Sequence, residues 1–282
     1  MLNIKKIIIE SFITEIKTTY HEIYGSLGAE DLNVLEWISR LTLENIANCD
    51  ALYHNMEHTI MVALVGQEIL KGKHISEGGV KPTDWINFMT ALLCHDIGYV
   101  RGICHKDDLE KNLFATGIGD EMIELPAGAT DAGLMPYHVD RGQLFIQERF
   151  GFKPFRWIDA DLVCSYVEMT RFPIPEGEKY EDTEGYRGLT RAADLIGQLG
   201  DPEYLRKIPN LFYEFEENGL NEGIGYHDPG DMRHAYATFF WNTVSPYIKK
   251  GVSYLKITQE GKQWISNLHS HVFVVEHKKN AI

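Results

Sequence analysis

The chain has 282 residues, with 27 Lys+Arg against 41 Asp+Glu and a formal net charge of −14. Nucleic-acid binding needs clustered cations that neutralise phosphates, and the only basic runs are Lys5-Lys6, Lys249-Lys250 and Lys278-Lys279, so a nucleic acid duplex is disfavoured as a partner. A composition of 44% hydrophobic and 24% charged residues is that of an ordinary globular protein and excludes wholesale disorder, collagen and coiled-coil rods.

Four cysteines (Cys49, Cys94, Cys104, Cys164) are scattered without a C-x-x-C pair, and three lie in apolar stretches. That pattern predicts buried free thiols and a reducing compartment, with the cytoplasm as the expected location. Glu10 interrupts the apolar run that follows Lys5-Lys6, too early for a signal-peptide core. No segment reaches the roughly 18 uninterrupted apolar residues of a membrane span, so a soluble protein without membrane contact is expected.

Apolar residues recur at spacings of three and four nearly everywhere, while period-two alternation is nearly absent, which predicts an all-α fold. A first helix is expected from about Ile4 to Tyr24, stopping at Gly25 to Gly28. A second, from about Leu32, buries Leu35, Ile38, Leu41, Leu43 and Ile46. Asn55 suits an N-cap for a third helix reaching about Gly72. Pro82 suits the first turn of a fourth, with Gly98 as its stop. Gly117 to Gly133 reads as a long surface loop, and such loops tend to be functional. Helices resume at about Arg141 to Phe150 and Ile158 to Thr170, break at Pro173 and Pro175, and continue from Thr183 to Gly200. From Asp201 on the pattern is helical apart from a Gly223 to Gly230 loop. No linker or repeat divides the chain, so one domain over 1–282 is expected, with a core of about 50–200 and helical packing extensions at 1–49 and 201–282.

The histidines carry the chemical information. His54 and His58 are four apart in Tyr-His-Asn-Met-Glu-His-Thr, a spacing that on a helix or at its first turn projects both to the same side, where they can share a metal or divide ligand and proton-donor roles. Read alone, the pair is equally a cap or a surface feature. His95-Asp96 ends an apolar helix, and burying such a pair is costly without a strong partner, which a divalent cation supplies to both. A second pair, His227-Asp228, precedes Pro229-Gly230 and reads as a solvated turn. Asp194 lies in a helix beside Thr190, Arg191, Gly197 and Gln198; alone it is better explained as an exposed helix residue or a salt bridge to Arg191.

Taken in order, His58, His95-Asp96 and Asp194, each on its own helix, resemble the HD superfamily of metal-dependent phosphohydrolases. Tyr53 to Thr59 further resembles the Y-H-N-x-x-H motif of its cyclic nucleotide phosphodiesterase branch, and Ala91 to Gly98, A-L-L-C-H-D-I-G, resembles the H-D-I-G core of bacterial members. The resemblance covers about residues 50–200 and implies an HD-domain helical bundle. It implies that His58, His95, Asp96 and Asp194 bind one metal, with Asp96 bridging to a second ion and His138 as a further ligand. It also implies that His54 is the general acid that protonates the leaving oxygen. The chain departs from the pattern where Tyr99 replaces a lysine common after H-D-I-G, and where Val163 to Phe172 lacks a histidine, leaving Glu168 as the nearest substitute.

The implied cofactor is one or two divalent metal ions: Zn, Mn, Fe, Ni or Co in the first site, Mg or Mn in a second. The implied reaction is attack of metal-activated hydroxide on a phosphate ester, with a small phosphorylated substrate, a nucleotide or cyclic nucleotide, as the expected partner. An acidic group such as Glu57 or Glu168 would keep His54 protonated. Arg101 is the first candidate for a substrate phosphate contact, ahead of Lys106, Arg141 and Arg171, and Tyr99, Trp157 and Phe172 are candidates to stack a base. The alternative is a catalytically silent HD module that binds metal and a nucleotide signal, its extensions serving a homodimer or another partner.

Overall fold

The computed structural model of the protein describes residues 2–25, 29–152 and 157–277. Among the described residues the fold is all-α apart from one two-stranded hairpin. Helix α1 (Ile4–Tyr24) starts at Asn3, whose side chain accepts the Lys6 N–H, and ends at Gly25, where φ is 61°. The rest of the expected stop, and the Lys278-Lys279 run, lie outside the described residues. Helix α2 (Ala29–Ile46) buries Leu35, Ile38, Leu43 and Ile46, whereas Leu41 is only half-buried. Among the described residues, no helix is long and apolar enough to cross a membrane.

Helix α3 (Met56–Glu77) is the centre of the bundle. Asn55 caps it by accepting the N–H groups of Glu57 and His58. It packs against α4 (Pro82–Cys94), α7 (Tyr186–Leu199) and α11 (Ser245–Leu255), so its buried residues lie on most of its circumference. Close approach is permitted by glycine: a Cβ on Gly197 of α7 would stand 2.7 Å from Val62 Cα of α3.

Helix α4 ends at Cys94, with His95 as its C-cap, and Gly98 is not its stop. Gly98 belongs instead to the 3-10 turn Ile97–Tyr99, and a Cβ there would meet the His138 backbone. The expected loop at 117–133 is partly ordered: β1 (Leu113–Ala115) pairs antiparallel with β2 (Met122–Glu124), and a 3-10 helix occupies Asp131–Tyr137. Three-residue strands are too short to show period-two alternation in sequence. Buried Arg141 ties this hairpin down. Its guanidinium donates to the carbonyls of Gly98, Val100 and Ala115 and pairs at 3.0 Å with fully buried Asp107. It is therefore a structural cation and not a phosphate contact.

Helix α5 (His138–Phe150) begins three residues earlier than expected, and α6 (Ala160–Val167) is followed by the 3-10 turn Glu168–Thr170. Beyond α7 the chain forms α8 (Tyr204–Glu217), α9 (Leu220–Ile224), α10 (Pro229–Phe239), a π-helical turn at Phe240–Val244, α11 and α12 (Gln259–His277). Asp228 caps α10, and with exposed His227 it forms the solvated turn expected from Pro229-Gly230. The cysteines are free thiols, buried except for half-buried Cys49.

Candidate metal centre

The helices bring His58, His95, Asp96 and Asp194 to one point. His58 sits in the first turn of α3, His95 and Asp96 follow α4, and Asp194 faces them from the middle of α7. His58 Nε2 lies 3.3 Å from His95 Nε2, 3.3 Å from Asp96 Oδ2 and 3.5 Å from Asp194 Oδ1. His95 Nε2 lies 3.1 Å from Asp96 Oδ2 and 3.6 Å from Asp194 Oδ1. Asp194 makes no ion pair with Arg191, whose guanidinium donates to the carbonyls of Tyr180 and Asp182.

These atoms could hold a divalent cation. Ligands about 2.0–2.2 Å from one ion stand about 3.0–3.6 Å from each other in octahedral or tetrahedral arrangements, the range seen here for the two imidazole nitrogens and for each of them with both carboxylates. Asp96 Oδ2 is buried and has no hydrogen-bond partner, a cost that coordination would remove. His95 Nδ1 donates to the Leu92 carbonyl at 2.7 Å, which leaves Nε2 as the nitrogen facing the cluster. Two imidazoles with two carboxylates suit Zn, Mn, Fe, Co or Ni. Burial opposes charge on both His95 and Asp96, yet their mutual attraction prevails: the imidazole is raised to about 9 and the carboxyl is held far below its usual range.

His54 stands beside this cluster, with its ring 5.5 Å from that of His58. Its Nδ1 is 2.5 Å from Glu214 Oε2, and Glu214 Oε1 accepts the backbone N–H groups of Tyr53 and His54. Burial opposes protonation of His54, but the Glu214 carboxylate outweighs it and raises the imidazole to about 8. The acidic partner expected at Glu57 or Glu168 is thus Glu214. Glu57 pairs with Lys207, and Glu168 accepts hydrogen bonds from Gln143, Arg171, Lys179 and Tyr180, which leaves it outside the metal cluster.

His138 Nε2 lies 3.9 Å from Asp96 Oδ1, while its Nδ1 donates to the Met135 carbonyl. Burial lowers its basicity, so Nε2 remains an acceptor on the same side as the cluster. Asp140 does not pair with it, being engaged by Arg171. Tyr99 is sandwiched between His54 and His138, with ring centroids at 4.8 and 4.7 Å, so its faces are filled by imidazoles and not free to stack a base. Arg101 is turned away from the site, bound by Asp131 and Asp50, and Lys106 pairs with exposed Asp120. Neither reaches the cavity.

The cluster forms one wall of a cavity of about 570 Å³. Arg171 and Phe172 line it, as does the segment to Ile174; Trp157 and the 117–133 region do not. Much of the remaining wall comes from residues 204–247, including Phe215, Ile224, Tyr226, Met232 and Phe239. The C-terminal extension is therefore part of the site and not packing alone. Sequence reasoning missed Glu214 for the same reason, because no motif surrounds it. The available signal was a single acid on the buried Leu211, Glu214, Phe215 stripe of α8.

No curated protein and no solved structure matches the chain. Over residues 2–278 it fits the sequence pattern of the Npun_R2479-like family, and it belongs to that family.

Proposed function

We propose that the protein is a metal-dependent phosphohydrolase that cleaves a phosphate ester. One observation carries this reading: His58 Nε2 and His95 Nε2 lie 3.3 Å apart and each lies 3.1–3.6 Å from an oxygen of Asp96 and of Asp194, and a histidine held in place by a buried carboxylate faces the same cavity. The order of those residues in the chain, which resembles the HD superfamily, supports it. His58, His95, Asp96 and Asp194 would hold the ion, with His138 beside them toward a second. When bound, the ion would act as a Lewis acid that acidifies water and offsets phosphoryl charge.

The chain's own residues supply the rest. Glu214 fixes the His54 ring and keeps it protonated, so that Nε2 carries the proton needed by a leaving oxygen. Tyr99, filled on both faces, sets the spacing between His54 and His138. The apolar cavity wall limits water around the reacting groups, which strengthens each electrostatic contact.

The test is turnover, by the protein supplemented with Mn²⁺, of bis-p-nitrophenyl phosphate and of a diester with an alkoxide leaving group, the latter beside His54→Gln because only an alkoxide needs the acid's proton. The account expects metal-dependent turnover, reduced by about 10²–10⁴-fold in His54→Gln, the range for a general acid. Bound metal without turnover across a panel of phosphate esters would replace this reading with a binding module.

A further inference from the structure

The cavity beside the metal cluster is unlike a nucleotide site in its charges. Among the described residues, the arginines and lysines that line it are Arg171 and Arg191, and both are committed. Arg171 makes a bidentate pair with Asp140 and also binds Glu168. Arg191 is buried, donates to two backbone carbonyls and lies 4.1 Å from the centre of the Tyr247 ring. A di- or triphosphate would bring several negative charges and find no uncommitted arginine or lysine in this lining to match them.

Apolar and aromatic side chains make up much of the remaining lining, beside the polar Thr170, Gln198, Asn242 and Thr243. Phe172, Ile174, Ile224, Tyr226, Phe239 and Tyr247 belong to this apolar set, and Phe172 and Ile224 keep 42% and 45% of their surface exposed. Phe172 meets Phe239 edge-on at 6.0 Å, which links the 171–174 segment to α10 along the cavity. Large apolar side chains left open beside a polar cluster mark a surface that an apolar ligand covers.

Resting on the phosphohydrolase reading, we infer that the substrate is a phosphate ester of an apolar alcohol, with its phosphoryl group at the His58–His95–Asp96–Asp194 cluster and its hydrocarbon against the Phe172–Ile224–Phe239 wall. In the reaction a water oxygen bonds to phosphorus and gives up a proton, the P–O ester bond breaks, and the leaving oxygen takes a proton from His54.

The experiment uses the full chain with Mn²⁺ and a series of alkyl p-nitrophenyl phosphodiesters, methyl, hexyl and decyl, all releasing p-nitrophenol, with thymidine 5′-(p-nitrophenyl phosphate) as the nucleotide comparator. Binding of methyl- and decylphosphonate is measured in parallel by calorimetry. Burying one methylene is worth about fourfold, so kcat/KM is expected to rise at least about tenfold from methyl to hexyl and to exceed that for the thymidine ester. Ile224→Asn should flatten the series. A flat series, or preference for the thymidine ester, overturns the substrate class while leaving a phosphohydrolase. Tighter binding of decylphosphonate with no turnover of any ester sustains the apolar site and overturns the phosphohydrolase reading. Neither turnover nor binding overturns both.

Discussion

Glu214 and His54, 160 residues apart in sequence, meet at 2.5 Å, and the same carboxylate accepts both backbone N–H groups that lead into α3. One side chain of α8 thus sets the protonation and the position of the proposed acid.

This pairing predicts a titration. In the metal-free protein His54 should titrate near 8, above its ordinary 6.5. The sign follows from the raised folded value: the pair's stabilisation is complete below the unfolded pKa and is lost as pH rises through about 8. In Glu214→Gln the burial stays and the charge goes, so the imidazole should fall by at least about one unit. NMR titration of the His54 ring checks this, and an unchanged value would remove Glu214 from the account.

Arg141 and Asp107 are both fully buried and hold the hairpin to the 97–100 turn. Replacing Arg141 by Met leaves Asp107 charged and unpaired, at a cost of about 3–5 kcal/mol. Urea unfolding at neutral pH should show a loss of that size, and a loss below about 1 kcal/mol would mean that the pair is dispensable.

Gly197 sets the distance between α7 and α3. Because a Cβ there meets Val62 backbone at 2.7 Å, Gly197→Ala must push the helices apart. The expected destabilisation is about 1–3 kcal/mol, accompanied by weaker metal binding as Asp194 retreats from His58. Calorimetric unfolding and metal titration of the same variant measure both effects. Wild-type affinity in a destabilised variant would separate packing from the site.

Glu168 serves stability. Burial opposes its charge, but hydrogen bonds from Arg171, Tyr180, Lys179 and Gln143 prevail and hold its carboxyl down at about 2, against 4.5 ordinarily. A depressed folded value contributes stability that is present above about pH 4.5 and disappears as pH falls toward 2, about 2–3 kcal/mol in all. Glu168→Gln should therefore be less stable than the parent at pH 7, with the gap narrowing by pH 3. A gap independent of pH would contradict this.

The convergence of His58, His95, Asp96 and Asp194 was foreshadowed in the sequence because such residue types stand out in apolar helices. A buried His-Asp pair is costly without a partner, and His58 falls in the first turn of α3, whereas His54 precedes the Asn55 cap and is brought beside it by Glu214. The all-α architecture was legible for a similar reason, since apolar periodicity persists along the chain. What failed was inference from adjacency. Arg101 is close to Asp96 in sequence, but Asp50 and Asp131 draw it away. Tyr99 is next to the motif, but its ring is filled by His54 and His138. The cavity wall was illegible because α8 to α11 carry ordinary apolar patterns, and only the packing shows that part of each faces a cavity.

The most direct test of the central claim is elemental analysis of the protein purified without added metal, beside His95→Ala and Asp194→Ala. The account predicts a transition metal near one equivalent in the parent, on the reasoning that one converging donor set holds about one ion, and its loss in both variants. Metal retained in both variants, or none in a folded parent that also takes up no Mn²⁺ or Zn²⁺ in titration, would contradict it.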